Sequence, residues 1–225
     1  MGLKAGIVGL PNVGKSTLFN AITKKNILAA NFPFATIDPN IGVVTVPDKR
    51  LEVLEGMYIP DRTIPTSYEF IDIAGLIKGA SKGEGLGNKF LSHIREVDAI
   101  CEVVRCFDDS DIIHVEGNTD PIRDIEIINI ELVLSDLEII ENRLSKIEKK
   151  ALTTKDKDSL FELSILNKIK ESLIKNIPVR NLSFEEEEEK LLRSFKLLTA
   201  KPIIYIANIK ESDLNKENKY VSDVK

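Results

Sequence analysis

The chain has 225 residues with 43% apolar content, enough to fill one large domain with or without an appendage. Its 31 basic against 36 acidic residues leave a formal charge of −5, which excludes binding to nucleic acid through overall charge, points away from a specific DNA contact and leaves only a local basic patch for such work. No apolar run reaches the roughly 18 residues of a membrane span, the start lacks a signal-peptide core, and Cys101 and Cys106 read as buried free thiols, so a soluble, cytoplasmic protein without membrane contact is expected.

Leu3 to Val8 is a short apolar run suited to a buried parallel strand. It leads into Gly9-Leu10-Pro11-Asn12-Val13-Gly14-Lys15-Ser16-Thr17, which fits Gly, four residues, Gly-Lys-Ser/Thr, and then into a helix over Ser16 to Lys24 carrying Leu18, Phe19 and Ile22 on one face. Strand, loop spacing and helix together predict a phosphate-binding loop. Glycines at 9 and 14 let consecutive N–H groups turn inward onto phosphate oxygens, and the helix start adds unpaired N–H groups and partial positive charge. The expected nucleotide contacts are Asn12, Val13, Gly14, Lys15, Ser16 and Thr17. Lys15 meets the β- and γ-phosphates as a catalytic cation, and the Ser16 hydroxyl holds Mg²⁺.

Asn31 to Asn40 is rich in prolines and turn formers and reads as a loop. In a nucleotide switch such a loop offers a threonine to the metal, which singles out Thr36, although an ordinary surface turn explains the same residues. Gly42 to Val46 and Tyr68 to Ile73 read as strands separated by a polar stretch containing Pro60 and Pro65. The second delivers Asp72-Ile73-Ala74-Gly75, an acid at a strand end with glycine three places on. Asp72 is the expected metal ligand through water, and the Gly75 N–H the expected γ-phosphate contact. Leu76 stands where many switch hydrolases carry a water-orienting glutamine, and its side chain cannot hydrogen-bond, which predicts slow turnover or a catalytic group from elsewhere. Lys78 to Gly87 is glycine-rich and leads into a helix over Asn88 to Glu96, followed by a strand over Ala99 to Cys106. His93 and His114 read first as structural or surface residues. Of the two, His114 is the catalytic candidate, because it follows the carboxyl end of that strand.

From Pro121 onward the pattern changes. Ile130, Val133, Leu137, Ile140, Leu144, Ile147 and Ala151 recur at alternating spacings of 3 and 4, and a second helical run carries Leu163, Leu166, Ile169 and Leu173. Two such helices predict an antiparallel hairpin. Its tip carries Lys146, Lys149, Lys150, Lys155 and Lys157, read as a solvated end or as a rim contact to nucleic acid. Ser183 to Glu186 suggests a capping box for a helix up to about Leu198, with the glutamates 185 to 189 as its exposed start. A last strand, Pro202 to Ala207, is expected to be buried and delivers Asn208-Ile209-Lys210-Glu211.

The motifs at Gly9 to Thr17, Thr36, Asp72 to Gly75, Gly79 to Gly87 and Asn208 to Glu211 together resemble the YchF family of Obg-like ATPases, a branch of the translation-factor GTPases. The resemblance runs across nearly the whole chain. It implies an α/β fold: a Ras-like P-loop NTPase domain with a mainly parallel sheet, over residues 1–120 and 200–225, and an inserted coiled-coil hairpin over 121–199. It also implies Mg²⁺-dependent hydrolysis of ATP in preference to GTP, and association with ribosomes; a GTP-specific GTPase, and a nucleotide-dependent binding switch in which hydrolysis is incidental, are the alternative readings. Guanine readers place an aspartate where this chain has Glu211, with lysine one position earlier than Lys210. That departure suits adenine, with Asn208 and Ile209 beside the purine. Asn12 recurs in K⁺-stimulated relatives of the superfamily, which adds K⁺ as a candidate ion. The family's Ser-Ala loop and TGS domain are expected beyond Lys225, which leaves the nucleotide domain incomplete at its C-terminal end.

Overall fold

A computed structural model describes residues 2–24, 39–73, 79, 87–109, 112, 115–154 and 156–225. Leu3–Val8 (β1), Asn40–Thr45 (β2), Ser67–Asp72 (β3), Ala99–Arg105 (β4) and Ile203–Asn208 (β5) form one sheet in the order β2-β3-β1-β4-β5. Only β2 runs antiparallel to its neighbour, β3. The inner strands β1 and β4 are covered on both faces, which is why they read as near-continuous apolar runs.

The helices are Lys15–Thr23 (α1), Lys49–Tyr58 (α2), Gly87–Arg95 (α3), Pro121–Thr154 (α4), Lys157–Ile174 (α5), Glu186–Phe195 (α6) and Lys219–Val224 (α7). Phe19 of α1 and Ile94 of α3 join Ile7, Val8, Ile73 and Ile100 in a first core, together with Ile128 and Leu132 from α4. A second core combines Val133, Ile140, Leu144 and Ile147 of α4 with Ile165, Leu166, Ile169 and Leu173 of α5 and Phe195 of α6. The helical hairpin therefore exists as the periodicity requires, and α4 belongs to both cores.

Three expectations are corrected. The polar stretch before β3 contains α2, whose Leu51, Leu54 and Tyr58 recur at helical spacing although none of its residues is buried; its start signal is Asp48, whose carboxylate accepts from the Arg50 N–H at 3.0 Å. Ile130 is 41% exposed, because the neighbouring Ile128 and Leu132 turn inward to the sheet. The capping box of α6 is built by Glu185 and Glu188, not Ser183: the Glu185 N–H donates to Glu188 Oε2 at 2.9 Å, and the helix ends at Phe195. Cys101 and Cys106 are buried free thiols, as expected. Among the described residues, no helix is long and apolar enough to cross a membrane.

At the seam between the cores, Asp136 is fully buried and accepts from the Leu198 N–H at 2.9 Å and from the Thr199 N–H and hydroxyl, both at 2.7 Å. Arg95, the last residue of α3, donates to Ser135 Oγ at 2.8 Å and to the Lys196 carbonyl at 3.0 Å, and its guanidinium lies 3.4 Å from Asp136. This knot ties the hairpin's base to the return strand and to α3.

Glu102, in the middle of β4, is 1% exposed, and neither carboxyl oxygen has a hydrogen-bond partner among the described residues. Burial pushes this carboxyl up to about 8, with Arg180 opposing the shift and Asp124 adding to it. An acid with a raised folded pKa stabilises fully below its unfolded value, and that stability is lost as pH rises toward 8. Glu102→Gln is therefore expected to match the parent near pH 5 and to exceed it in Tm by about 5 °C at pH 8.5. A constant difference across that range would show that Glu102 ionises freely in the fold.

Candidate functional site

The carboxyl ends of β1 and β3 bring the phosphate loop and Asp72 together. Gly9 has φ +152°, and a Cβ there would sit 2.5 Å from the Val103 carbonyl oxygen on β4. Gly14 has φ +100° and would meet the Asn208 amide in the same way. Asn12 also adopts a left-handed conformation, with φ 64°. Gly14 caps α1 without a side-chain hydrogen bond, so the first N–H groups of that helix are left to an anion.

Lys15 is 8% exposed and donates from Nζ to the Leu10 carbonyl at 2.6 Å. Burial lowers its pKa to about 8, and the charge of Asp72 offsets part of that drop. Ser16 Oγ donates to Asp72 Oδ2 at 3.2 Å. Burial raises the Asp72 carboxyl, while Lys15, Ser16 and the Asn40 side chain pull it down. Asn40 faces Asp72 across the β2–β3 pair, a partner that spacing in the sequence could not show. A hydroxyl and a carboxylate converging beside a lysine form a hard-oxygen donor set of the kind Mg²⁺ takes with phosphates supplying further ligands.

At the far end of the chain, Asn208 closes β5 and donates from Nδ2 to the Val13 carbonyl at 2.9 Å, fastening the phosphate loop. Ile209 follows half-buried and Glu211 is exposed at the start of a short turn of helix, Glu211–Asp213, on the same edge of the sheet. Thr17 is exposed on the first turn of α1. Arg105, which the motif reading missed, is buried and donates to the carbonyls of Phe107, Asp109 and Ile112, shaping the loop after β4. Thr36, Gly75, Leu76 and His114 lie outside the described residues, as does Lys155 at the hairpin tip.

A protein-family model described as "50S ribosome-binding GTPase" matches residues 4–143. The Bacillus subtilis "Ribosome-binding ATPase YchF" is 58% identical over 95% of this chain and 58% of its own length, and the Escherichia coli O157:H7 protein of the same name is 53% identical over 100% of this chain and 61% of its own. This chain belongs to the YchF family. It superposes on the solved structure of the Schizosaccharomyces pombe YchF GTPase with a TM-score of 0.80 and 48% identity, over 99% of this chain and 61% of that one. The YchF assignment thus agrees with the resemblance carried by the motifs, and the α/β fold with its helical hairpin is that of the yeast structure. This chain spans about three-fifths of the length of the curated relatives that it matches.

Proposed function

We propose that the protein is a Mg²⁺-dependent purine nucleotide hydrolase that prefers ATP over GTP, turns it over slowly and works in association with the ribosome. The observation that carries this reading is the convergence of Lys15, Ser16 and Asp72 on one point beneath a loop fastened by Asn208. Bacterial relatives carry the name ribosome-binding ATPase, which supports both halves of it.

Lys15 and the N–H groups of Asn12 to Thr17 hold the phosphates and stabilise charge that builds on the β/γ-bridge. Ser16 and Thr36 would ligate Mg²⁺, Asp72 would hold the ion through water, and the Gly75 N–H would meet the γ-phosphate, the ion supplying charge neutralisation on the phosphates. Asn12 is the candidate for K⁺. His114 is the candidate catalytic group in place of the glutamine that Leu76 lacks. Residues 1–120 and 200–225 form the nucleotide domain, and 121–199 the inserted hairpin.

Base choice rests on Asn208, Ile209 and Glu211. A guanine site uses a carboxylate to accept from N1–H and the 2-amino group, and adenine has neither donor. The longer arm of Glu211 and the shifted Lys210 suit adenine. The yeast relative is named a GTPase, and GTP specificity is the second reading. Titration of the protein with ATP and GTP side by side, in Mg²⁺, is expected to give at least about tenfold tighter binding of ATP. Equal affinities, or tighter GTP, would remove the adenine assignment.

A further inference from the structure

Among the described residues, side chains of α4 bond to the chain between Asp72 and β4 at Gly79 and at Arg95. Glu131 of α4 is 4% exposed, and its Oε1 accepts from the Gly79 N–H at 2.6 Å. One turn further along α4, Ser135 Oγ accepts from Arg95 at 2.8 Å. A spacing of four places Glu131 and Ser135 on the same helix face. One face of the hairpin's base therefore holds the chain after Asp72 at Gly79, and again at Arg95, where α3 ends.

The first contact is the one that bears on chemistry. The Glu131 oxygen reaches the Gly79 N–H from a buried helix face, so the bond depends on the length of the side chain that carries the acceptor. Gly79 has φ +92°, a backbone shape that side-chain-bearing residues rarely adopt. Leu76, three places before it, offers no hydrogen bond to an attacking water. Placement of that water must then depend on backbone groups or on another element, and among the described residues Glu131 bonds the backbone at Gly79.

We infer that Glu131 is a positioning residue for nucleotide hydrolysis: it holds the Gly79 N–H, seven places after Asp72, and through that fixed point the base of the hairpin governs turnover. The inference rests on the hydrolase reading proposed above. It deepens that reading by making α4 the element through which a partner seated on the hairpin changes the rate. The role is that of an acceptor at a fixed reach, so keeping the reach matters more than keeping the charge.

Steady-state kinetics of Glu131→Asp and Glu131→Gln in the intact protein tests this. The aspartate keeps the charge but falls one methylene short; the glutamine keeps an oxygen at the same reach. Glu131→Asp is expected to lower kcat at least about fivefold with KM for ATP within about twofold of the parent, and Glu131→Gln to stay within about twofold in both. Hydrogen exchange adds a readout that needs no variant: in the parent protein the Gly79 amide is expected to be protected like an amide of α4.

An unchanged kcat in the aspartate variant, an equal fall in both variants, or losses of kcat, KM and Tm together would each overturn the inference. Exchange of the Gly79 amide at the rate of a free loop would do the same. A parent protein that binds ATP but shows no turnover would overturn the hydrolase reading, and the inference with it, which is a different result from normal parental turnover unaffected by the substitutions.

Discussion

Lys15→Ala is expected to abolish ATP turnover, lowering it by at least about a hundredfold, as the loss of one preorganised charge on a developing anion does elsewhere. The side chain is buried with its Nζ on the Leu10 carbonyl, so its amine already lies within the loop it serves. Its pKa of about 8 adds a pH signature. A bound triphosphate favours the charged amine, so above pH 8 binding takes up a proton and affinity falls as pH rises; below pH 8 the lysine is already charged and affinity is flat. Phosphate release in Mg²⁺-ATP measures the first effect, and affinity from pH 7 to 9.5 the second. Turnover in Lys15→Ala within tenfold of the parent would remove Lys15 from the site.

The second large effect concerns stability. Asp136→Ala is expected to destabilise the fold by about 3–5 kcal/mol, because the Leu198 and Thr199 N–H groups and the Arg95 charge would be left without their acceptor in a buried place. For a chain of this size that is a fall in Tm of roughly 10 °C. Asp136→Asn keeps one oxygen for one of the two N–H groups and should fall between. Thermal unfolding of the three proteins decides the matter: a loss under about 1 kcal/mol in the alanine variant would mean that the knot is rebuilt with other partners or water.

Much of the site was legible because its chemistry is local. Gly9, Gly14, Lys15 and Ser16 lie within one turn of chain, and their spacing is the one that a phosphate-binding loop requires. Strands β1, β3 and β4 stand within a residue or two of their expected places, since inner strands need apolar side chains on both faces. Strand β5 is also in place, but the expectation that it is buried fails: it lies at the sheet's edge, with Ile204 and Tyr205 exposed. What spacing could not carry was pairing across the chain. Asn208 was read for its place beside a purine, while its side chain reaches back 195 residues to Val13. Glu131 and Gly79 are 52 apart, Asp136 and Thr199 are 63 apart, and no periodicity links either pair. Helix α2 is a different case: Leu51, Leu54 and Tyr58 stand at helical spacing, but the charges among them and the prolines that follow outweigh them, and none of its residues is buried.

Helix α4 runs unbroken from Pro121 to Thr154, with its early turns clamped in the sheet's core and its later turns in the hairpin. It is a stiff arm on a fixed pivot. From Asp136 to Ala151 the arm is roughly 22 Å long at 1.5 Å per residue, so a tilt of about 5° at the pivot swings its end by about 2 Å. Lys149 and Lys150 ride at that end, exposed. On the inference that Glu131 positions the chain at Gly79, any tilt about Asp136 would move Lys149 and Lys150 farther than Glu131, in proportion to their greater distance from the pivot.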